Sequence, residues 1–177
     1  SLLYYAFDID IGRTWRVDES LTMRAFGGVR VAHADQDFQA GYDGVQAVGS
    51  RVISRSEFNG AGPSAGAEAR WALKRGFGLF GSARGGMLYG DFEGVARETN
   101  GNGAQVNADV RDEFSGLAPF GSVQLGGSWQ WRNVAFAAGY ETTHYFNIAT
   151  RPTFTDDFAE GRVIRRKGDL NFDGVFF

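Results

Sequence analysis

The segment GSVQLGGSWQWRNVAFAAGYETTHYFNI, residues 121–148, decides how the chain folds. On both sides of the polar step Arg132-Asn133, apolar residues alternate with small or polar ones, which is the period of β-strands. Trp129 and Trp131 are two residues apart, so they lie on one face of their strand, directly before that step. The segment therefore predicts two antiparallel strands joined by a tight turn, with the bulkiest rings beside the turn.

The same period continues along the chain and predicts seven strands and no helix. Short polar turns alternate with long loops, so we expect an up-and-down antiparallel meander. Short turns at one end and long loops at the other are typical of outer-membrane barrels. The strands cover about residues 2–15, 20–33, 51–73, 77–90, 115–131, 134–148 and a last run that carries Leu170, Phe172 and Phe176 on its apolar face.

The third run is longer than the roughly 9 to 11 residues that a strand needs to cross a bilayer. At its centre, NGAGPS contains turn-forming residues and Pro63, which cannot donate to a sheet ladder. The motif is either a hairpin turn, which gives eight strands, or a bulge in one long strand. We favour the bulge, because a turn would place Trp71 at the end opposite to the other tryptophans.

Composition excludes several classes of protein. The 177 residues, enough for one domain spanning 1–177, include no cysteine, so a disulfide framework, a thiolate zinc site and a cysteine nucleophile are excluded. The net charge of -3 does not favour nucleic-acid binding. No apolar run approaches the roughly 18 residues of a membrane helix. A mean hydropathy of -0.27 looks soluble, but a membrane barrel has a similar value because every second residue faces its lumen.

All four tryptophans lie beside the short turns, on the face of the aliphatic residues, and several tyrosines lie towards the other strand ends. An amphipathic ring is stable at headgroup depth, where its body is apolar and its polar group stays hydrated. The pattern predicts an apolar band between two aromatic girdles. The predicted girdle residues are Tyr5, Trp15, Trp71, Tyr89, Trp129 and Trp131.

The opposite faces of the strands carry charge of both signs, which predicts a charged barrel lumen. A soluble, lipocalin-like ligand-binding barrel has the same alternation inside out, and the period alone does not separate the two. The girdles and the Gly/Ala-rich apolar faces favour the membrane barrel. The predicted lumen charges are Asp8, Asp10, Arg24, Arg30, Glu68, Arg70, Arg84, Glu141 and Asp173.

EFNGAGPSAGAEARWALKRGFGLFGSARGGMLYGDF, residues 57–92, resembles the Legionella-type major outer membrane protein family of pore-forming barrels. YAFDIDIG (5–12), LTMRAFGGVRVAHAD (21–35) and FAAGYETTHYF (136–146) are similar to other strands of that family. The resemblance implies an all-β, antiparallel, up-and-down transmembrane barrel in a bacterial outer membrane. It also implies strands before residue 5, so that the seven belong to a barrel of eight to twelve, and no catalytic residues.

From the residues and the resemblance together we predict a pore for passive diffusion of ions or small solutes, with a structural or assembly barrel as the alternative. The predicted partners are the lipid bilayer, lipopolysaccharide and further copies of the chain. We predict no enzyme activity, no cofactor, no metal and no nucleic acid.

Three other features have weaker functional interpretations. His33 near Asp35, and His144 near Thr142, have the residue types of a general base, which an enzymatic barrel needs. The acidic segments DQD (35–37) and TDDFAEG (155–161) lack the EF-hand pattern of a calcium site, and we interpret them as solvated. The basic run RVIRRKG (162–168) is interpreted likewise, with contact to lipopolysaccharide phosphates as the alternative.

We also expect the chain to be cut at both ends. Ser1 opens directly into a strand that runs down to a short turn, whereas the first strand of a secreted barrel runs upward from the periplasm. At the other end Phe177 is out of phase with the apolar alternation of Leu170, Phe172 and Phe176, so we expect the last strand to continue.

Overall fold

The structure, a computed structural model, describes residues 1–44, 47–100, 105–154 and 163–177. It is a single seven-stranded antiparallel sheet with the strands in chain order, as the alternation predicts. A 3₁₀ turn, Lys74–Gly76, joins the third and fourth strands. The strands are β1 (Leu2–Arg16), β2 (Leu21–Gly44), β3 (Ala47–Ala72), β4 (Phe77–Asn100), β5 (Gln105–Trp131), β6 (Val134–Phe154) and β7 (Val163–Phe176).

Strands β2 to β5 extend much further than the sequence predicts at the end away from the short turns. The predicted loops at 34–50 and 91–114 are largely strand: the β2–β3 ladder continues to Gly41 opposite Arg51, and the β4–β5 ladder to Asn100 opposite Gln105. The sequences of these extensions are mainly polar, with scattered apolar residues such as Phe38, Phe92 and Phe114, so no sustained hydrophobic alternation marks them as strands. Backbone pairing is supplemented there by cross-strand side-chain contacts: Arg55 pairs with Asp35, and the rings of Phe92 and Phe114 stack with centroids 4.8 Å apart.

β3 is one continuous strand, so the seven-strand interpretation is right and the turn at NGAGPS is wrong. The bulge is also wrong, because the register is the same on both sides of the motif: Ala61 lies opposite Tyr89, and Ser64 opposite Gly86. Gly62 and Pro63 interrupt the ladder without shifting it. A missing N–H removes ladder hydrogen bonds without requiring an extra residue.

The two faces of the sheet differ sharply in burial. Most of the buried side chains, among them Phe58, Leu88 and Tyr145 at 0–1% exposure, lie on one side, which we call the inner face. Large hydrophobic residues such as Phe7 and Leu125, 63% and 62% exposed, lie on the other side, the outer face. In a water-soluble protein such large apolar side chains would be covered, so the outer face is adapted to an apolar surrounding.

The sheet curls strongly around its inner face. Arg84 of β4 contacts Asp8 of β1, and the hydroxyls of Tyr4 in β1 and Tyr145 in β6 are hydrogen bonded to each other. Glycine permits this curvature: a Cβ at Gly28 would overlap the carbonyl oxygen of Ile9 on the neighbouring strand. Within the described residues no ladder joins β1 to β7, so the sheet is an open curl that fits part of a barrel.

β7 presents its faces in the sense opposite to the prediction. Phe172 stacks on Tyr4 with ring centroids 4.1 Å apart, so the aromatic side of β7 lies on the inner face and not on the lipid side. Asp173 therefore lies on the outer face, where it accepts a hydrogen bond of 3.0 Å from Tyr140. The predicted alternation of β7 is correct, but its aromatic side faces the interior, where Phe172 packs beside Tyr4 and Tyr145. Assigning Asp173 to the inner face was wrong for this reason.

Candidate functional site

The outer face carries a continuous apolar band across β1 to β5. The register aligns Phe7, Val31, Ala61, Tyr89 and Leu117 in one row across these strands. Side chains in one row are direct neighbours across the strands, so this row forms a continuous part of the band. Four of the five are large and are 47–63% exposed.

The band ends abruptly one row further from the short turns, a direction that we call up. That row contains Tyr5, His33, Asn59, Asp91 and Ser115. Its polar groups bond to one another: His33 Nδ1 and Asn59 Oδ1 are 2.6 Å apart, and Ser115 donates to Asp91 at 2.6 Å. Tyr5 stacks on His33 at 4.8 Å, so this girdle tyrosine lies at the boundary between apolar and polar rows.

Above this boundary the outer face is charged, and we call this level the upper collar. It contains an acidic row, Asp35, Glu57, Glu93 and Glu113, with Arg55 and Arg111 one row higher. Arg55 donates to Asp35 at 2.9 Å, and this hydrogen bond holds the pKa of Asp35 below its usual value. Arg111 lies 2.6 Å from Glu113. Charged groups at this level indicate contact with water or headgroups.

The lower boundary is formed by the tryptophans. Trp15, Trp71, Trp129 and Trp131 are 40–56% exposed and lie at the strand ends that meet the short turns. Trp129 lies 6.0 Å from Phe77 and from Phe136, so the rings form a connected group across β4, β5 and β6. On β3 the interval from Ala61 to Trp71 matches the roughly 9 to 11 residues of a membrane strand.

The inner face at the depth of the band carries an alternating ladder of charges. Arg30 binds Asp8 through two hydrogen bonds of 2.8 Å. Asp8 also lies 2.8 Å from Arg84, which in turn binds Asp10. The series Arg30–Asp8–Arg84–Asp10, which we call the charge ladder, thus connects β2, β1 and β4. Each of its carboxylates is paired with at least one guanidinium. The side chains are 9–26% exposed, so partial solvation accompanies the pairing.

The remaining predicted charges lie around this ladder. Near the short turns, Glu68 binds Arg70 and lies 3.9 Å from Arg24. Glu141 makes no ion pair with any residue that the structure describes, and it lines a cleft of about 430 Å³ together with Asp8 and Arg30. The inner face therefore carries eight of the nine predicted lumen charges, the exception being Asp173.

An aromatic layer, which the sequence analysis missed, lies directly above the ladder. Arg30 lies over the ring of Phe120 at 4.4 Å and donates to the hydroxyl of Tyr145 at 3.2 Å. Phe58 and Phe92, with centroids 4.7 Å apart, belong to the same layer. These rings occupy positions on the face that the alternation predicts to be polar. The only sequence signal for the layer is the unusual number of phenylalanines on that face.

His33 on β2 and His144 on β6 both lie on the outer face, but at separate positions. His144 Nε2 is 3.4 Å from Asp169, and the backbone N–H of Asn147 donates to the same carboxylate. This pair lies at an irregularity between β6 and β7. The segment 155–161 and the side chains of the basic run 162–167 lie outside the described residues. Within the described residues no group of three His, Cys, Asp or Glu side chains is arranged to hold a metal ion.

An apolar band bounded by aromatic and charged rows, on an antiparallel meander with a charged inner face, defines an outer-membrane β-barrel protein. The family model of the Legionella pneumophila major outer membrane protein precursor matches residues 1–177, the whole chain. The chain therefore belongs to that family and is an outer-membrane protein. No curated protein and no solved structure matches it. No helix in the described part of the chain is long and apolar enough to cross a membrane.

Proposed function

We propose that the protein forms a pore for passive diffusion of ions or small solutes, and that its inner face lines part of the passage. The observation that supports this most directly is charge of both signs on the inner face at the depth of the apolar band. Buried charge is costly unless it is paired or hydrated, so these groups fit a water-containing interior. Charged rings set ion selectivity in other pores.

A structural or assembly role is the second candidate. It is favoured by the pairing of the ladder, in which Asp8 and Asp10 are both neutralised by Arg84, and by the aromatic layer above it. An interior filled in this way on all sides has no passage. The two candidates therefore differ in whether the interior conducts.

Planar-bilayer recording of the full-length protein separates them. We expect discrete conductance steps and a shift towards cation selectivity in the variant Arg84→Gln, because it leaves Asp8 and Asp10 with one cation fewer. The matched control Arg55→Gln removes the same charge from the upper collar on the outer face. It should leave selectivity unchanged. Protein that is folded by circular dichroism, yet gives no conductance, would favour the structural role.

A further inference from the structure

The tryptophan end of the molecule also carries basic side chains. Arg13 lies on the outer face in line with Trp15, Lys74 and Arg75 form the turn after Trp71, and Arg132 follows Trp131. We call these four the basic collar. All are exposed, and none makes an ion pair with a residue that the structure describes. The guanidinium of Arg132 lies over the ring of Trp131 at 5.3 Å.

Asp18 and the exposed Glu19 of the first short turn form no ion pair with these four cations in the described part of the chain. One oxygen of Asp18 accepts hydrogen bonds of 2.7–2.8 Å from the N–H groups of Ser20 and Leu21 and from the Ser20 hydroxyl. Glu68 lies on the inner face with Arg70. In the upper collar the situation is reversed, because Arg55 and Arg111 each lie between carboxylates. The two borders of the apolar band therefore differ in the charge that they present to their surroundings.

We propose that the basic collar binds anionic phospholipid headgroups of the leaflet at the short-turn end. Tryptophan rings are placed at headgroup depth in membrane proteins, so cations beside them lie at the level of lipid phosphates. The cations are spread along the border and do not converge on one pocket, which fits a surface of headgroups. An anionic membrane surface attracts each nearby Lys or Arg enough to raise affinity by about fivefold. This binding does not depend on whether the protein conducts.

The native tryptophans are the probe for the experiment, since all four lie at this border. The full-length protein is reconstituted in phosphatidylcholine vesicles containing a minor fraction of phosphatidylglycerol, with bromine quencher on the chains of one lipid or the other. We expect several-fold stronger quenching per mole from brominated phosphatidylglycerol, and a loss of that preference at high salt. Equal quenching by the two lipids would overturn the proposal.

The matched pair of variants is K74Q/R75N against R55Q/R111Q. Each removes two positive charges, the first at the tryptophan border and the second at the upper collar. Asn is chosen at position 75 because Arg75 has φ 62, a left-handed conformation that Asn tolerates. The first variant should lose most of the preference, and the second should keep it. An unchanged preference in K74Q/R75N contradicts the proposal.

Folding and ligand source are controlled separately. Each variant is normalised to its own fluorescence in lipids without bromine, and its strand content is checked by circular dichroism. If the double variant does not fold, Arg75→Asn alone is measured, with about half the loss expected. Inorganic phosphate should reduce the preference no more than chloride of equal ionic strength. A specific effect of phosphate would indicate a site for the free anion and would overturn the assignment to lipid.

Discussion

Gly28 and Gly121 both lie within strands, but a methyl group added to each would meet opposite surroundings. At Gly28, on the inner face, it would overlap the carbonyl oxygen of Ile9 and lie 2.6 Å from Asp10 Oδ1. At Gly121, on the outer face, nothing in the protein lies within 4 Å of it. The inner face is therefore constrained by the protein's own curvature, whereas the outer face is constrained by its surroundings.

The same contrast extends to the large side chains. On the inner face Tyr145 and Phe58 are almost fully covered by other residues of the protein. On the outer face Ile11 is 86% exposed and Leu125 is 62% exposed, although both are apolar. Substitutions on the inner face should thus act through packing and charge pairing. Those on the outer face should act through transfer between lipid and water.

The largest effect is expected from a matched pair of glycine substitutions. Gly28→Ala should destabilise the protein by roughly 3 kcal/mol, because the backbones of β1 and β2 must move apart. Gly121→Ala should be neutral or stabilising by about 0.5 kcal/mol, since alanine loses less conformational freedom than glycine. Urea unfolding in detergent or lipid, followed by tryptophan fluorescence, measures both. Equal effects would contradict the distinction between the two faces.

A charge on the outer face should be costly only within the apolar band. Ala65 lies in the band, and Ala65→Arg should cost about 2–4 kcal/mol because the cation faces hydrocarbon. Ser115 lies in the first polar row on the same face, and Ser115→Arg should cost less than about 1 kcal/mol. Unfolding from lipid vesicles measures the difference. A similar cost at both positions would show that the row of Tyr5 and Asp91 is not the boundary of the band.

On the inner face the charge ladder supplies the next effect. Arg84→Gln should cost about 2 kcal/mol, which is less than the full cost of breaking a buried pair because the groups are partly solvated. Adding Asp10→Asn to Arg84→Gln should recover part of the loss, since it removes the carboxylate left without a partner. A double-mutant cycle on unfolding free energies measures this coupling. Additive effects would show that the pair contributes no coupling.

Within the apolar band much of the fold follows from the sequence. The faces of β1 to β6, the seven strands and the position of the short turns were predicted correctly, because lipid on one side and a polar interior on the other impose a strict alternation. Beyond the band this constraint disappears. The extensions of β2 to β5 are mainly polar, and apolar residues such as Phe92 and Phe114 are too scattered to give a pattern that distinguishes them from loops.

The inner face shows a second limit of sequence reasoning. The alternation gives two faces for β7 but does not say which of them faces lipid, and Phe172 stacks on Tyr4, a ring that comes from the distant strand β1. Likewise, Arg84 is a partner of Asp8 only because the sheet curls until β4 approaches β1. Curvature depends on many glycines acting together, so the charged residues could be predicted but their pairing could not.

The smallest effect is expected at a turn that belongs to neither face. Asp18 closes the first short turn, and the hydrogen bond from the Ser20 backbone N–H holds the pKa of Asp18 below its usual value of 3.8. A lowered pKa means that the ionised carboxylate stabilises the folded state above 3.8, and that this contribution disappears as the pH falls through the folded-state value. Asp18→Asn keeps an accepting oxygen but loses the charge. The wild type should therefore melt slightly higher than Asp18→Asn at neutral pH, and the two melting temperatures should converge in acid. A difference that stays constant, or grows as the pH falls, would show that the charge of Asp18 does not stabilise the turn.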